Sequence, residues 1–215
     1  MGRRTVIVCA GDGVDPGFLR SFLQKGDVVY AVDGGADYAL KAGIMPCCVI
    51  GDLDSVSPGA LREFKSKGVR VLKKPDQEKT DAECAVEKAL SDGADEIVLV
   101  CALGGRIDHE LANILLAASL TVPARIIDEK TEIQAIHSKA TLEGEIGDTV
   151  TILPLTQAAE GITLKGFKYE MENGTLPFGS TKGVSNVLNK KKAVISVTDG
   201  VILVIKTKGG KNETK

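Results

Sequence analysis

Runs of β-branched and other apolar residues recur along the first part of the chain, at Thr5 to Ala10, Val28 to Val32, Cys47 to Ile50, Val69 to Leu72, Glu96 to Ala102 and Ala124 to Ile127. Their length and composition predict buried strands. The stretches between them read as helices with punctuated ends. Gly26, Gly43 and Gly68 stand where left-handed C′ residues belong, Ser57-Pro58 reads as N-cap and N1, and Thr80 to Glu83 as a capping box. Strand and helix alternating this regularly imply right-handed crossovers. The fold class expected over residues 1–128 is α/β, with a Rossmann-like, doubly wound and mainly parallel sheet.

From about Thr131 the pattern changes. Glu132 to His137, Thr149 to Leu153, Gly161 to Leu164, Ala193 to Thr198 and Val201 to Thr207 are strand-like with no convincing helix between them. Asp199-Gly200 is a type I′ hairpin signal between the last two. A small all-β sandwich domain is expected over residues 131–208, with 209–215 a frayed polar tail.

Composition narrows the partners. With 43% apolar residues among 215, the chain can bury a full core. The 27 basic residues nearly cancel the 29 acidic ones, leaving no broad positive field for a nucleic-acid backbone or an anionic membrane. Any ligand must be recognised locally. Cys9, Cys47, Cys48, Cys84 and Cys101 show no C-x-x-C spacing and mostly sit in apolar runs, as reduced residues of a cytoplasmic protein do. Behind Met1-Gly2-Arg3-Arg4 the apolar stretch ends at Gly11-Asp12, too short for a secretion signal, and Val6 breaks a myristoylation signal. No window approaches the roughly 20 apolar residues of a membrane span.

Ligands of open parallel sheets bind outside the carboxyl ends of the strands, so the residues that follow each strand carry chemistry. Here they are repeatedly acidic: Asp12, Asp33, Asp52 with Asp54, Asp76 with Asp81, and Asp108. Carboxylates gathered at one edge repel one another by about 1 kcal/mol per 4 Å pair in water and by several times more when shielded. Such a cluster calls for cations. Asp52 and Asp54, one residue apart in Gly51-Asp52-Leu53-Asp54-Ser55, can offer hard oxygen ligands to Mg2+, or simply solvate the loop and cap the helix after it. Thr80 with Glu83 and Asp81 suit a helix start, which leaves Asp76 and Gln77 unexplained. Gly104-Gly105-Arg106-Ile107-Asp108-His109 either presents amides and a guanidinium to an anion or makes a tight turn capped by Asp108; both readings stand. His109 reads as a helix-start histidine, His137 carries no signal, and Lys190 to Lys192 reads as a solvated loop. Gly11-Asp12-Gly13 lacks the spacing of a dinucleotide fingerprint, and no P-loop pattern occurs.

Asp33-Gly34-Gly35-Ala36, Gly51-Asp52-Leu53-Asp54-Ser55, Asp76-Gln77 with Thr80-Asp81, and Gly104 to His109, in this order and spacing, closely resemble the thiamine pyrophosphokinase family. The resemblance extends to Gly166-Phe167-Lys168-Tyr169 and Gly183-Val184-Ser185-Asn186, which look like its thiamine-binding segments. It implies transfer of the diphosphate of ATP to the hydroxyl of thiamine, with Mg2+, in a homodimer whose sites lie between subunits. Carried over by motif, Asp52, Asp54 and Asp81 would hold metal, and these with Asp108 would form the catalytic set. Asp33, Gln77, Thr80, Gly104, Gly105 and Arg106 would line the ATP and phosphate site, and Tyr169, Ser185 and Asn186 would meet thiamine. Some members carry Trp where Tyr169 stands; this chain has no Trp, and Phe178 is the other stacking candidate. The proton of the thiamine hydroxyl would pass to Asp81 or Asp108, a choice the residues leave open.

Two rivals come from other classes. Cys48 to Asp54 loosely mimics the strand and D-x-D nucleophile of haloacid-dehalogenase-type phosphatases, although there the motif follows the first strand and here the third. A non-catalytic thiamine or nucleotide sensor would keep Tyr169 and the glycines but would not need so many aspartates.

Overall fold

The computed structural model describes residues 2–12, 15–74 and 78–209, in two compact units, Met1–Glu129 and Lys130–Lys215. In the first, strands and helices alternate: β1 (Arg4–Val8), α1 (Pro16–Phe22), β2 (Val28–Val32), α2 (Gly35–Lys41), β3 (Cys48–Gly51), α3 (Pro58–Ser66), β4 (Arg70–Lys73), α4 (Asp81–Ser91), β5 (Glu96–Val100), α5 (Ile107–Ser119) and β6 (Ala124–Ile127). Every pairing among these strands is parallel, in the order β6-β5-β1-β2-β3-β4.

Alternation along the strands builds two buried faces. Val6, Val8, Val29, Ala31 and Val49 point at Leu19 of α1, Ala36 and Ala39 of α2 and Ala60 and Phe64 of α3. Helix α4 packs on β1, β2 and β3 and touches α5, with no residue in that cluster, so it covers the other face. Phe64 is fully buried, and truncating it to Ala should cost about 3–5 kcal/mol.

Helix punctuation follows the sequence closely. Ser57 caps α3 by accepting from Ala60 N–H at 3.2 Å, with Pro58 at its first position. Thr80 Oγ1 accepts from Glu83 N–H at 3.1 Å. Gly43 and Gly68 follow α2 and α3 with positive φ. Gly26 does not cap α1, which ends at Phe22 in an extended Leu23.

The second unit holds β7 (Thr131–Ile136), β8 (Lys139–Glu143), β9 (Thr149–Pro154), β10 (Ala158–Lys165), β11 (Met171–Pro177), β12 (Asn186–Val187), β13 (Lys192–Ser196) and β14 (Ile202–Thr207). They form two antiparallel sets, β12-β9-β14-β7 and β11-β10-β13-β8. Ile136, Val150, Ile152, Ile202 and Val204 from the first meet Leu142, Ile162, Leu164, Leu176 and Ile195 from the second in one core. Among the described residues this unit contains no helix.

The expected hairpin at Asp199-Gly200 is absent: β13 pairs with β8 and β10, and β14 with β7 and β9. A type I′ turn needs positive φ at both central residues, and only Gly200 has it. The segment instead carries the chain from one sheet to the other. Gly209 is held by its N–H to Asp148 Oδ1 at 2.9 Å; the rest of the expected tail lies outside the described residues.

Candidate active site

Strand order reverses between β1 and β5, the position at which open α/β sheets accept ligands. The loops leaving those strands meet there, Gly11 N–H donating to Cys101 O at 2.6 Å and Asp12 N–H to Gly104 O at 3.5 Å. Gly104 and Gly105 have φ of +85° and +94°. A side chain at Gly104 would start 2.8 Å from Asp12 O, so glycine is what lets the two loops touch. Past β2, β3 and β5 the backbone turns sharply: Asp33, Leu53 and Cys101 have φ of +41°, +70° and +55°. Left-handed backbone at a non-glycine residue costs about 1–3 kcal/mol and concentrates at working sites.

Because β2, β3 and β4 are neighbours, their carboxyl ends bring side chains together. Carboxylate oxygens of Asp33, Asp52 and Asp81 lie within 4.8 Å of one another. At an effective dielectric near 20, each pair of charges at that distance repels by about 3 kcal/mol. Burial pushes the Asp81 carboxyl above the usual range, nearby Lys74 opposes that, and Asp52 and Asp33 add to it. Asp81 Oδ1 is buried and accepts no hydrogen bond, although Lys74 Nζ stands 3.4 Å away. Three converging hard oxygen donors, with the Lys74 ammonium beside them, fit a divalent cation such as Mg2+.

Asp54 stands outside this group. Its carboxylate accepts from Ser55 Oγ at 2.9 Å, while Ser55 N–H donates to Asp33 Oδ1 at 3.3 Å. Leu53, between Asp52 and Asp54, is in left-handed backbone, and Asp54 N–H donates to Asp52 Oδ1 at 3.3 Å. Thr80 Oγ1 accepts the α4 capping bond, a role that does not use its O–H. Gln77 and Asp76 lie outside the described residues.

At the β5 exit, Arg106 occupies the N-cap of α5 and grips Asp108 with two hydrogen bonds, 3.1 and 2.5 Å. Asp108 therefore does not cap the helix; its bond to Arg106 pulls its carboxyl down to about 2. Both side chains are well exposed. Lys74, at the end of β4, is the residue that sequence reading missed, since a lysine past a strand carries no pattern of its own.

In the second unit, Tyr169 is exposed, with Lys168 Nζ 5.3 Å from its ring centroid. Phe178 is also exposed. Ser185 is exposed with φ of +60°, and Asn186 is buried, its amide bonded to the backbone of Tyr169.

Fold and site define a class: an α/β protein with a carboxylate cluster at the carboxyl edge of its parallel sheet, where such folds bind ligands. Residues 19–127 match the family described as thiamin pyrophosphokinase, catalytic domain, and residues 132–202 match thiamin pyrophosphokinase, vitamin B1 binding domain. The thiamine pyrophosphokinase of Bacillus subtilis is 29% identical over 195 residues, spanning 88% of this chain and 91% of that one. A crystal structure of thiamine pyrophosphokinase from Bacillus subtilis superposes with a TM-score of 0.88 at 27% identity, over 97% of this chain and 100% of that one. One from Geobacillus thermodenitrificans gives 0.85 at 26% identity, over 97% and 99%. The chain belongs to the thiamine pyrophosphokinase family, and it is an enzyme, a transferase that uses ATP and thiamine. None of these relationships supports a phosphatase or a silent sensor.

Proposed function

We propose that the chain moves the diphosphate of ATP to the hydroxyl of thiamine, releasing AMP, with Asp33, Asp52 and Asp81 holding Mg2+ against the triphosphate. The observation that carries the metal assignment is the convergence of those three carboxylates within 4.8 Å of one another. When bound there, Mg2+ supplies charge neutralisation, the main demand of phosphoryl-type transfer. Gly104, Gly105 and Arg106 offer amides and a guanidinium to phosphate at the β1/β5 crevice. Asp54 supports the β3 exit through Ser55 and Asp33. Gln77 and Thr80 belong to the same region by motif.

Of the two candidate bases, Asp108 held at about 2 by Arg106 is a poor proton acceptor near neutrality. Asp81, as a ligand of Mg2+, would have its basicity lowered by the metal, so the choice between the two stays open. Residues 1–128 form the Rossmann-like ATP unit in this reading, and 131–208 the thiamine unit, with exposed Tyr169 and Ser185 facing the ligand. An aromatic face suits the thiazolium cation of thiamine. We further place the protein in the cytoplasm as a homodimer with shared sites. Five free cysteines, four of them buried, suit a reducing compartment. Among the described residues no helix is long and apolar enough to cross a membrane.

The test is mass detection of thiamine diphosphate and AMP from thiamine, ATP and Mg2+. ADP as the only nucleotide product would overturn diphosphate transfer, and full turnover in excess chelator would overturn the metal assignment.

A further inference from the structure

The segments Gly166 to Tyr169 and Gly183 to Asn186 are distant in sequence and adjacent in the β unit. Phe167 pairs with Leu188, Lys168 N–H donates to Val187 O at 2.8 Å, and Asn189 N–H to Gly166 O at 2.9 Å. The second segment is fastened in turn to β9: Ile152 N–H donates to Gly183 O at 2.8 Å and Ser185 N–H to Thr151 Oγ1 at 3.2 Å. A side chain at Gly183 would start 2.2 Å from Ile152 O, so glycine permits this approach. Ser185 then turns through φ of +60°, and the next side chain, Asn186, goes inward, where it is 6% exposed.

Inside, the Asn186 amide makes three of the four hydrogen bonds open to it. Oδ1 accepts from Tyr169 N–H at 3.0 Å and Val187 N–H at 2.9 Å, and Nδ2 donates to Tyr169 O at 2.7 Å. The partners settle which atom is which, since two amide donors need an acceptor and a carbonyl needs a donor. Tyr169 is thus gripped at both backbone polar groups while the residue as a whole stays 61% exposed. Holding an exposed aromatic residue before the ligand arrives removes part of the ordering cost from the binding step.

We propose that Asn186 is a positioning residue, which clamps the backbone of Tyr169 and acts on thiamine through that ring instead of touching it. The inference rests on the reading that Tyr169 meets thiamine. Ser185 and Tyr169 then present to the ligand, and Asn186 builds the platform.

A double-mutant cycle tests this, with thiamine KM and kcat measured at saturating ATP and Mg2+ for Asn186→Ala, Tyr169→Ala and the double variant. Asn186→Ala should raise thiamine KM about five- to tenfold in the parent and change kcat less than about twofold; after Tyr169→Ala it should change KM less than about twofold. A KM cost that persists undiminished in the Tyr169→Ala background overturns the clamp and makes Asn186 a direct contact. No KM cost in either background overturns it as well. An unchanged KM for Tyr169→Ala alone overturns the reading beneath it, and the clamp's effect on thiamine with it. Should Asn186→Ala lose its cooperative melt, Asn186→Asp takes its place, keeping the two accepted bonds and losing the donor to Tyr169 O. Its added negative charge attracts a thiazolium, so a raised KM cannot come from the charge.

Discussion

Lys74 Nζ lies 3.4 Å from Asp81 Oδ1, and the two side chains are only 10% and 20% exposed. Lys74 is fixed at the end of β4 by its N–H to Gly51 O at 3.0 Å, and its Nζ donates to Lys79 O at 3.1 Å. An ammonium therefore compensates one member of the carboxylate trio before any metal is present.

Lys74→Met should accordingly destabilise the metal-free protein, since breaking a shielded pair leaves a carboxylate uncompensated. The expected loss is about 1–3 kcal/mol, or roughly 2–12 °C in Tm for a chain of this size. Added Mg2+ should raise Tm more in the variant than in the parent, because metal replaces the missing cation. An unchanged melt in chelator would show that Lys74 carries none of the compensation.

Asp81 should make stability depend on pH in an unusual direction. Its folded pKa is raised above the ordinary 3.8, so in the window between the two values the folded state binds more protons than the unfolded state. Stability from this group is then highest below about pH 4 and falls as pH rises through the folded pKa. Asp81→Asn removes that loss: in chelator it should melt above the parent at pH 7, with the gap closing on acidification toward pH 4. A variant that melts lower than the parent at pH 7 would contradict the assigned burial penalty. Its turnover should nonetheless be lost, a stabilised enzyme without its ligand.

Much of this was legible beforehand, for identifiable reasons. Ser57-Pro58 and Thr80 to Glu83 announce helices through local chemistry, and they cap α3 and α4 as expected. Strands β8 and β11 were not legible, because each is the edge of its sheet and buries little besides Leu142 or Leu176. Alternation is weak where both faces stay wet. The aspartates at the sheet edge were visible, yet their grouping was not. Spacing alone pairs Asp52 with Asp54, and only the adjacency of β2 and β3 in the folded sheet brings Asp33 to Asp52.

That regrouping separates two kinds of variant. Asp33→Asn, Asp52→Asn and Asp54→Asn should each reduce turnover by about 10²-fold or more, the first two by loss of a metal ligand and the third by a displaced loop. The distinguishing measurement is the Mg2+-induced rise in Tm without nucleotide. It should vanish for Asp33→Asn and Asp52→Asn and survive for Asp54→Asn. Loss of the shift in Asp54→Asn would return that residue to the ligand set.

The proposed homodimer with shared sites makes the last prediction. Exposed Tyr169 and Phe178 lie in the second unit, whereas the carboxylate trio lies in the first. If one chain supplies aspartates and another supplies Tyr169 and Ser185, a two-fold dimer contains two equivalent composite sites. An Asp52→Asn chain and a Tyr169→Ala, Ser185→Ala chain are each expected to be inactive alone. Mixed under conditions that allow subunit exchange, half of the dimers are heterodimers at random pairing. In each of these, one site collects both damaged halves and the other both intact halves. Activity should return toward roughly a quarter of the parent value. With exchange demonstrated independently, for instance by mass spectrometry of differently tagged chains, a mixture that stays inactive would assign the whole site to a single subunit.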